Sequence, residues 1–246
     1  MSEPGKPSPT HGPRVITYTR VVNLSRKIHP GIPLWSRDPK VEFEAVALLE
    51  QDGYYLRRFA MGEHSGTHVN APNCFHAGGP SIDTYPAESL VVPVAVIDVR
   101  ERVAVESDYA LTMEDLEDWE RLHGPVAGGS TVLLHTGWQS KWSSPLRYMG
   151  QDEAGGCHFP GFGYGAARCL LLERNASGVG TDTPGVEPGN DGAFTVNKMA
   201  LERRRIVLEN LANLDRLPPT GATLVIGVLL LAGGTGSPAS VLAFVP

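Results

Sequence analysis

The segment Gly62–Gly79, GEHSGTHVNAPNCFHAGG, packs His64, His68, Cys74 and His76 into thirteen residues with Asn70 among them. The chain holds 8 His and 3 Cys, so four of its eleven soft or borderline metal ligands lie in this one stretch. Two imidazoles that share an ion must each bring a nitrogen to about 2.0–2.1 Å from it. In a straight strand His64 and His68 would stand about 13 Å apart, and Ser65-Gly66-Thr67 ahead of Pro72 is poor helix. A bend at Gly66 is therefore expected to converge His64 and His68. Asn70, two residues on in extended backbone, shares the side of His68 and offers an amide oxygen as a third donor. A divalent ion held this way polarises a carbonyl and lowers the pKa of a bound water toward about 7.

Cys74 has three readings: a buried structural thiol, a thiolate ligand beside the two histidines, or an acid/base or nucleophile with a lowered pKa. His76 is a candidate acid/base if the loop turns it inward, and between the two it is the preferred one. HxxxH spacing alone recurs by chance. Trp35, Tyr55, Phe59, Trp138 and Trp142 are candidates for an aromatic wall around a planar substrate. Gly161-Phe162-Gly163-Tyr164-Gly165-Ala166 reads as a helix-opening turn, since no apolar strand precedes it as a dinucleotide loop requires. Neither a GxSxG elbow nor a phosphate loop is present.

The elements that must position these groups are mostly strands. Alternating or apolar runs predict strands within Arg14–Leu24, Lys40–Glu50, Tyr54–Met61, Leu90–Val99, Thr131–Thr136, Gly178–Asp182 and Thr223–Leu231. Helices are predicted over Leu111–His123, capped by Thr112 with Asp115, and over Gly165–Ala176. A third is predicted over Leu201–Leu214, interrupted or ended at Arg203-Arg204-Arg205. The 28 Gly and 20 Pro imply many tight turns. The expected architecture is an α/β, single mixed-sheet domain over residues 14–246, behind a flexible Pro- and Ser-rich segment over residues 1–13.

With 246 residues the chain is long enough for one substantial core. Its formal charge of −6 argues against nucleic acid or an anionic membrane surface as partner and favours a small-molecule substrate. Three cysteines at irregular spacing suit a reducing compartment. No run of apolar residues reaches the length of a membrane span, and no signal-like hydrophobic region opens the sequence. The expected location is cytoplasmic.

From His64 to His76 the sequence resembles the HxGTHxDxPxH signature of the metal-dependent cyclase/hydrolase family, which includes kynurenine formamidase, isatin hydrolase and polyketide-cluster types. His64, Gly66, Thr67, His68 and Pro72 carry the match. Val22-Asn23-Leu24-Ser25, Thr136-Gly137-Trp138, Phe159-Pro160-Gly161, Gly178–Thr183, Glu209-Asn210-Leu211 and Gly236-Ser237-Pro238 extend it, in order, along the chain. The resemblance implies the swivelling β/β/α fold of the cyclase/kynurenine formamidase type and a homodimer or homotetramer. It places the ligand aspartate at Asn70, the acid/base histidine at Cys74 and a second-metal histidine at Asn197, while Glu209 is kept as ligand or proton acceptor. With those departures one divalent ion at most, zinc or manganese, is expected on His64, His68, Asn70 and Glu209, with His76, Cys74 and Glu209 as the catalytic candidates. The implied activity is metal-dependent hydrolysis of a small amide, lactam or ester. Polyketide-type cyclisation with the same ion as Lewis acid, or a catalytically silent binding protein, are the alternatives.

Overall fold

Hydrophobic alternation along short strands builds the scaffold, and the computed structural model describes it for residues 15–246. The lead-in expected over residues 1–13 lies outside the described residues. The strands are β1 (Arg20–Asn23), β2 (Glu42–Ala47), β3 (Leu56–Ala60), β4 (His68–Asn70), β5 (Val91–Asp98), β6 (Ala110–Leu111), β7 (Thr131–His135), β8 (Gly161–Phe162), β9 (Gly178–Thr181), β10 (Ile206–Glu209), β11 (Thr223–Val228) and β12 (Gly236–Val245). The helices are α1 (Leu49–Asp52), α2 (Arg100–Val105), α3 (Met113–His123), α4 (Pro145–Met149), α5 (Tyr164–Arg168) and α6 (Thr195–Glu202).

Eight strands form one sheet in the order β1-β12-β11-β5-β7-β9-β10-β4, and β4 also pairs with β12, which closes the sheet into a barrel-like ring. β5, β7, β9 and β10 run parallel; β11, β12 and β4 complete the ring with antiparallel pairings. The parallel strands are continuous apolar runs because both faces are covered. On β7, Leu133 points into the ring with Val69, Leu208, Leu224 and Val241. Its neighbours Val132 and Leu134 point outward against Leu116, Trp119, Leu170 and Leu201 of the helical layer. The mixed α/β architecture expected from sequence is the one observed.

α3 starts as expected: the Thr112 hydroxyl accepts from the Asp115 amide, and the Asp115 carboxylate accepts from the Thr112 amide. Of its apolar residues Met113, Leu116, Trp119 and Leu122, only Leu116 and Trp119 are buried. α5 runs on into a π-helical turn over Cys169–Glu173, filling the predicted Gly165–Ala176 helix. The helix predicted over Leu201–Leu214 is not there. α6 ends at Glu202, Arg204 takes a left-handed φ of 53°, and the chain turns straight into β10. The apolar run Ile206-Val207-Leu208 is a strand buried between β9 and β4. β12 and β4 were not anticipated. β12 follows a Gly-rich turn, and β4 is only three residues long.

β2 and β3 form a separate two-stranded hairpin away from the ring. Among the described residues no helix is long and apolar enough to cross a membrane.

The close spacing of β9 and β10 depends on Gly178, where a Cβ would fall 2.1 Å from the Ile206 carbonyl oxygen. Gly178→Ala is expected to cost about 1–3 kcal/mol by overpacking. Gly192→Ala, at a position with nothing within 4 Å, should stay within about 0.5 kcal/mol of wild type. Urea unfolding of the two variants checks both.

Candidate active site

The bend expected at Gly66 is present. Its φ is 65°, and a Cβ there would strike Ile28 Cδ1 at 2.4 Å, so both backbone conformation and space require glycine. The bend brings the His64 and His68 rings to 5.2 Å between centroids at an interplanar angle of 88°. It is fixed from behind. The Thr67 hydroxyl donates to the Asn210 carbonyl and accepts from the Arg26 amide, and the Asn210 side chain donates to the Gly66 carbonyl. The Tyr148 hydroxyl ties Asn210 Oδ1 to the Asp182 carbonyl, and Asp182 accepts from the amide and hydroxyl of Thr136.

Strand register then decides which groups meet. On the β4–β10 pair, Val69 stands opposite Leu208 and faces the core, so His68 stands opposite Glu209 on the other face. His68 Nδ1 donates to the Gly66 carbonyl, and Nε2 lies 3.1 Å from Glu209 Oε2. Burial works against charge on both groups. Their mutual hydrogen bond and attraction outweigh it, holding His68 above the ordinary imidazole range and Glu209 below the ordinary carboxylate range.

Asn197 on α6 completes the floor. Its Nδ2 donates to Glu209 Oε1 at 3.0 Å and to Glu187 Oε1 at 2.9 Å, and its backbone amide donates to Glu187 Oε2. Two carboxylates therefore fix the orientation of this amide, and its Oδ1 accepts from Asn70 Nδ2 at 3.0 Å. The Asn70 oxygen is left pointing at His64 Nδ1, 2.8 Å away. His64 Nε2 meets the Thr235 hydroxyl, whose own proton goes to Glu63, so Nε2 carries the hydrogen. Burial, and next the charge of His68, depress the proton affinity of His64, which leaves Nδ1 as a bare lone pair. Two lone pairs thus face each other at hydrogen-bond distance with no proton between them.

That confrontation fits a cation. Nδ1 of His64 and Oδ1 of Asn70 are the donors that would hold it, with His68 beside them. Among the described residues no three His, Cys, Asp or Glu side chains come together as a cation site, so the set relies on the neutral Asn70 oxygen. The two positions where carboxylate and imidazole were expected, Asn70 and Asn197, are hydrogen-bonded to each other instead.

These groups line a cavity of about 280 Å³ whose walls include Trp35, Phe75, Phe159 and Phe194, with Arg37 and Asp38 also facing it. Of the aromatic candidates from sequence only Trp35 lines it. Tyr55 and Phe59 are exposed on the hairpin, Trp138 is buried against Tyr148 and Phe159, and Trp142 flanks that cluster. Cys74 lines the cavity with Sγ 3.9 Å from His64 Nε2. Burial, and the negative charge of Glu209 and Glu63, push its thiol up to about 11, so at neutral pH it is a protonated thiol and not a thiolate. His76 is turned away from the cavity, with Nε2 donating to the Lys198 carbonyl. Glu187 was missed in the sequence, because a lone glutamate in Gly185-Val186-Glu187-Pro188 has no partner at readable spacing.

The barrel is that of a known class. The Cyclase family model, described as "Putative cyclase", matches residues 22–188, and the chain belongs to this family. It is 33% identical over 243 residues to isatin hydrolase of Roseibium aggregatum, covering 92% of each chain. It is 24% identical to kynurenine formamidase of Salinibacter ruber over 89% of this chain and 94% of that one. Among solved structures, isatin hydrolase A from Ralstonia solanacearum superposes with a TM-score of 0.85 at 33% identity, covering 92% of each chain. A protein described as a potential metal-dependent hydrolase with cyclase activity gives 0.68 at 25% identity, covering 91% of this chain and 96% of that one.

His64→Ala is expected to abolish zinc and manganese uptake. Asn70→Asp should tighten it by about tenfold, since added ligand charge raises cation affinity. Elemental analysis and chelator competition measure both.

Proposed function

We propose that this chain hydrolyses the carbon–nitrogen bond of a small amide or lactam bearing a planar group, with one divalent transition ion at His64, His68 and Asn70. The observation that carries this is the facing pair of lone pairs on His64 Nδ1 and Asn70 Oδ1 inside an aromatic-walled cavity. When bound, the ion supplies Lewis-acid polarisation of the scissile carbonyl and acidification of water. The remaining work falls to the protein. Glu63 and Thr235 lock the His64 ring in its Nε2–H tautomer. The Gly66 carbonyl accepts from His68 Nδ1 and so leaves Nε2, on the Glu209 side, as the nitrogen that would meet the ion, and the Asn197 amide holds Asn70 with its oxygen inward. Trp35, Phe75, Phe159 and Phe194 exclude water and stack on a flat substrate. Arg37 offers a positive charge to the carboxylate that amide hydrolysis creates. The names of the relatives, isatin hydrolase and kynurenine formamidase, agree with this reading.

The test is turnover of isatin and N-formylkynurenine by protein loaded with manganese or zinc, before and after chelation. Hydrolysis of either that is lost on chelation and restored by the ion supports the reading. Absence of both turnover and stoichiometric ion binding overturns it in favour of a silent binding protein.

We also infer that the protein works as a homo-oligomer in which a second copy covers the β2–β3 hairpin. A two-stranded hairpin is marginally stable alone, and this one exposes Val46, Leu49, Tyr54, Tyr55 and Phe59, an apolar surface of the kind that marks an interface. Within the hairpin Arg58 pairs with Glu44 at 3.0 Å and Arg57 lies over the Phe43 ring, so these charges are met inside one chain and the exposed apolar side chains are what a second copy would cover. Phe59→Glu is expected to shift the mass measured by light scattering to that of one chain; an unchanged oligomer, or a wild-type monomer, would sink the inference.

A further inference from the structure

Glu187 is a buried carboxyl, 3% exposed, that faces the active-site cavity. Each of its oxygens accepts one hydrogen bond, and both donors belong to Asn197. Its hydrogen-bonding partners in the protein are therefore all donors. A carboxylate suits such surroundings, but a protonated Glu187 has an O–H for which they provide no acceptor. That hydrogen is available only to what occupies the cavity.

The acidic neighbours act in one direction. Glu209 on β10 and Asp191 on the adjoining loop add negative charge, and together with burial, the largest influence, they push Glu187 up to about 7 against the opposing Asn197 hydrogen bonds. His64, His68, Arg37 and Asp38 face the same cavity from the motif loop and the segment beside Trp35. Of the three groups that sequence offered for proton transfer, the Cys74 thiol stays protonated, His76 is bonded to Lys198 outside the cavity, and Glu209 is engaged on one oxygen by His68 and on the other by Asn197.

We propose that Glu187 is the catalytic proton carrier of the hydrolysis, a role that rests on the amidase reading given above. As the water oxygen bonds to the carbonyl carbon, the Glu187 carboxylate takes one of the water's protons. As the carbon–nitrogen bond breaks, the same carboxyl gives that proton to the departing nitrogen. Amide and water go in, carboxylic acid and amine come out, and Glu187 ends as the carboxylate it began as. Asn197 is the positioning residue, bridging Glu187 and Glu209 and so keeping two carboxyl groups at one site.

The experiment compares wild type, Glu187→Gln and Glu187→Asp on whichever of isatin and N-formylkynurenine the wild type hydrolyses. For Glu187→Gln a fall in kcat of about 100-fold or more is expected, with ion content retained and KM within about threefold. The rising arm of the wild-type kcat/KM profile, where the carboxylate forms, should disappear in Glu187→Gln and return in Glu187→Asp. Retention of kcat within about threefold, a profile unchanged in shape, or loss of activity only in step with loss of ion overturns the proposal. Infrared difference spectra of the ion-free protein separate this from failure of the amidase reading. A protonated-carboxyl band that titrates near neutral pH and is missing in Glu187→Gln supports the proton-carrying state even if neither amide is turned over. Its absence from wild type overturns the proposal whatever the activity.

Discussion

The β4–β10 register is the constraint on which the site depends. Side chains alternate along a strand, so seating Val69 and Leu208 in the core leaves His68 and Glu209 no choice but to meet on the opposite face. A slip by one residue would bury an imidazole and a carboxylate in hydrocarbon and expose the apolar pair. The same apolar contact that stabilises the ring therefore sets the chemistry. The backbone bend at Gly66 and the bonds from Thr67 and Asn210 then bring His64 over the end of that pair.

Hydrogen-bond direction propagates from there. Glu187 and Glu209 turn the Asn197 amide, Asn197 turns Asn70, and Asn70 presents an oxygen to His64. On the other side Glu63 orients Thr235, which takes the Nε2 hydrogen of His64. Carboxylates on two flanks thus leave no proton for the contact in the middle. The two asparagines that break the family pattern are not independent losses. They bond to each other, and their pairing replaces a carboxylate–imidazole arrangement with a neutral one that keeps one donor oxygen inward.

Much of this was legible in the sequence, for identifiable reasons. The bend at Gly66 follows from the reach of two imidazoles and the weak helix propensity of Ser65-Gly66-Thr67. The start of α3 follows from Thr112 and Asp115, and the parallel strands follow from their apolar runs. The Leu201–Leu214 helix failed because Ile206-Val207-Leu208 is apolar at every position, a pattern that a buried strand and a buried helix share. β4 was not legible because its partners β10 and β12 lie more than a hundred residues away, and β12, although it pairs with the nearby β11, opens on Gly236-Ser237-Pro238-Ala239-Ser240, small residues and a proline without a strand's alternation. The roles of His76 and Glu187 were hidden because they are set by how the loops turn, which spacing along the chain does not show. Adjacency to Cys74 suggested His76, whereas the loop geometry turns it outward, and only the folded chain brings Glu187 to residues ten and twenty-two positions downstream.

The ring is sealed by β12, which is paired at once with β1, β11 and β4. A ribosome delivers that strand long after the histidine motif, so the motif must wait, unpaired along one edge, through the synthesis of most of the domain. Thr235, the residue that selects the His64 tautomer, arrives with it. Vectorial synthesis thus leaves the His64 tautomer unset until the closing strand is docked.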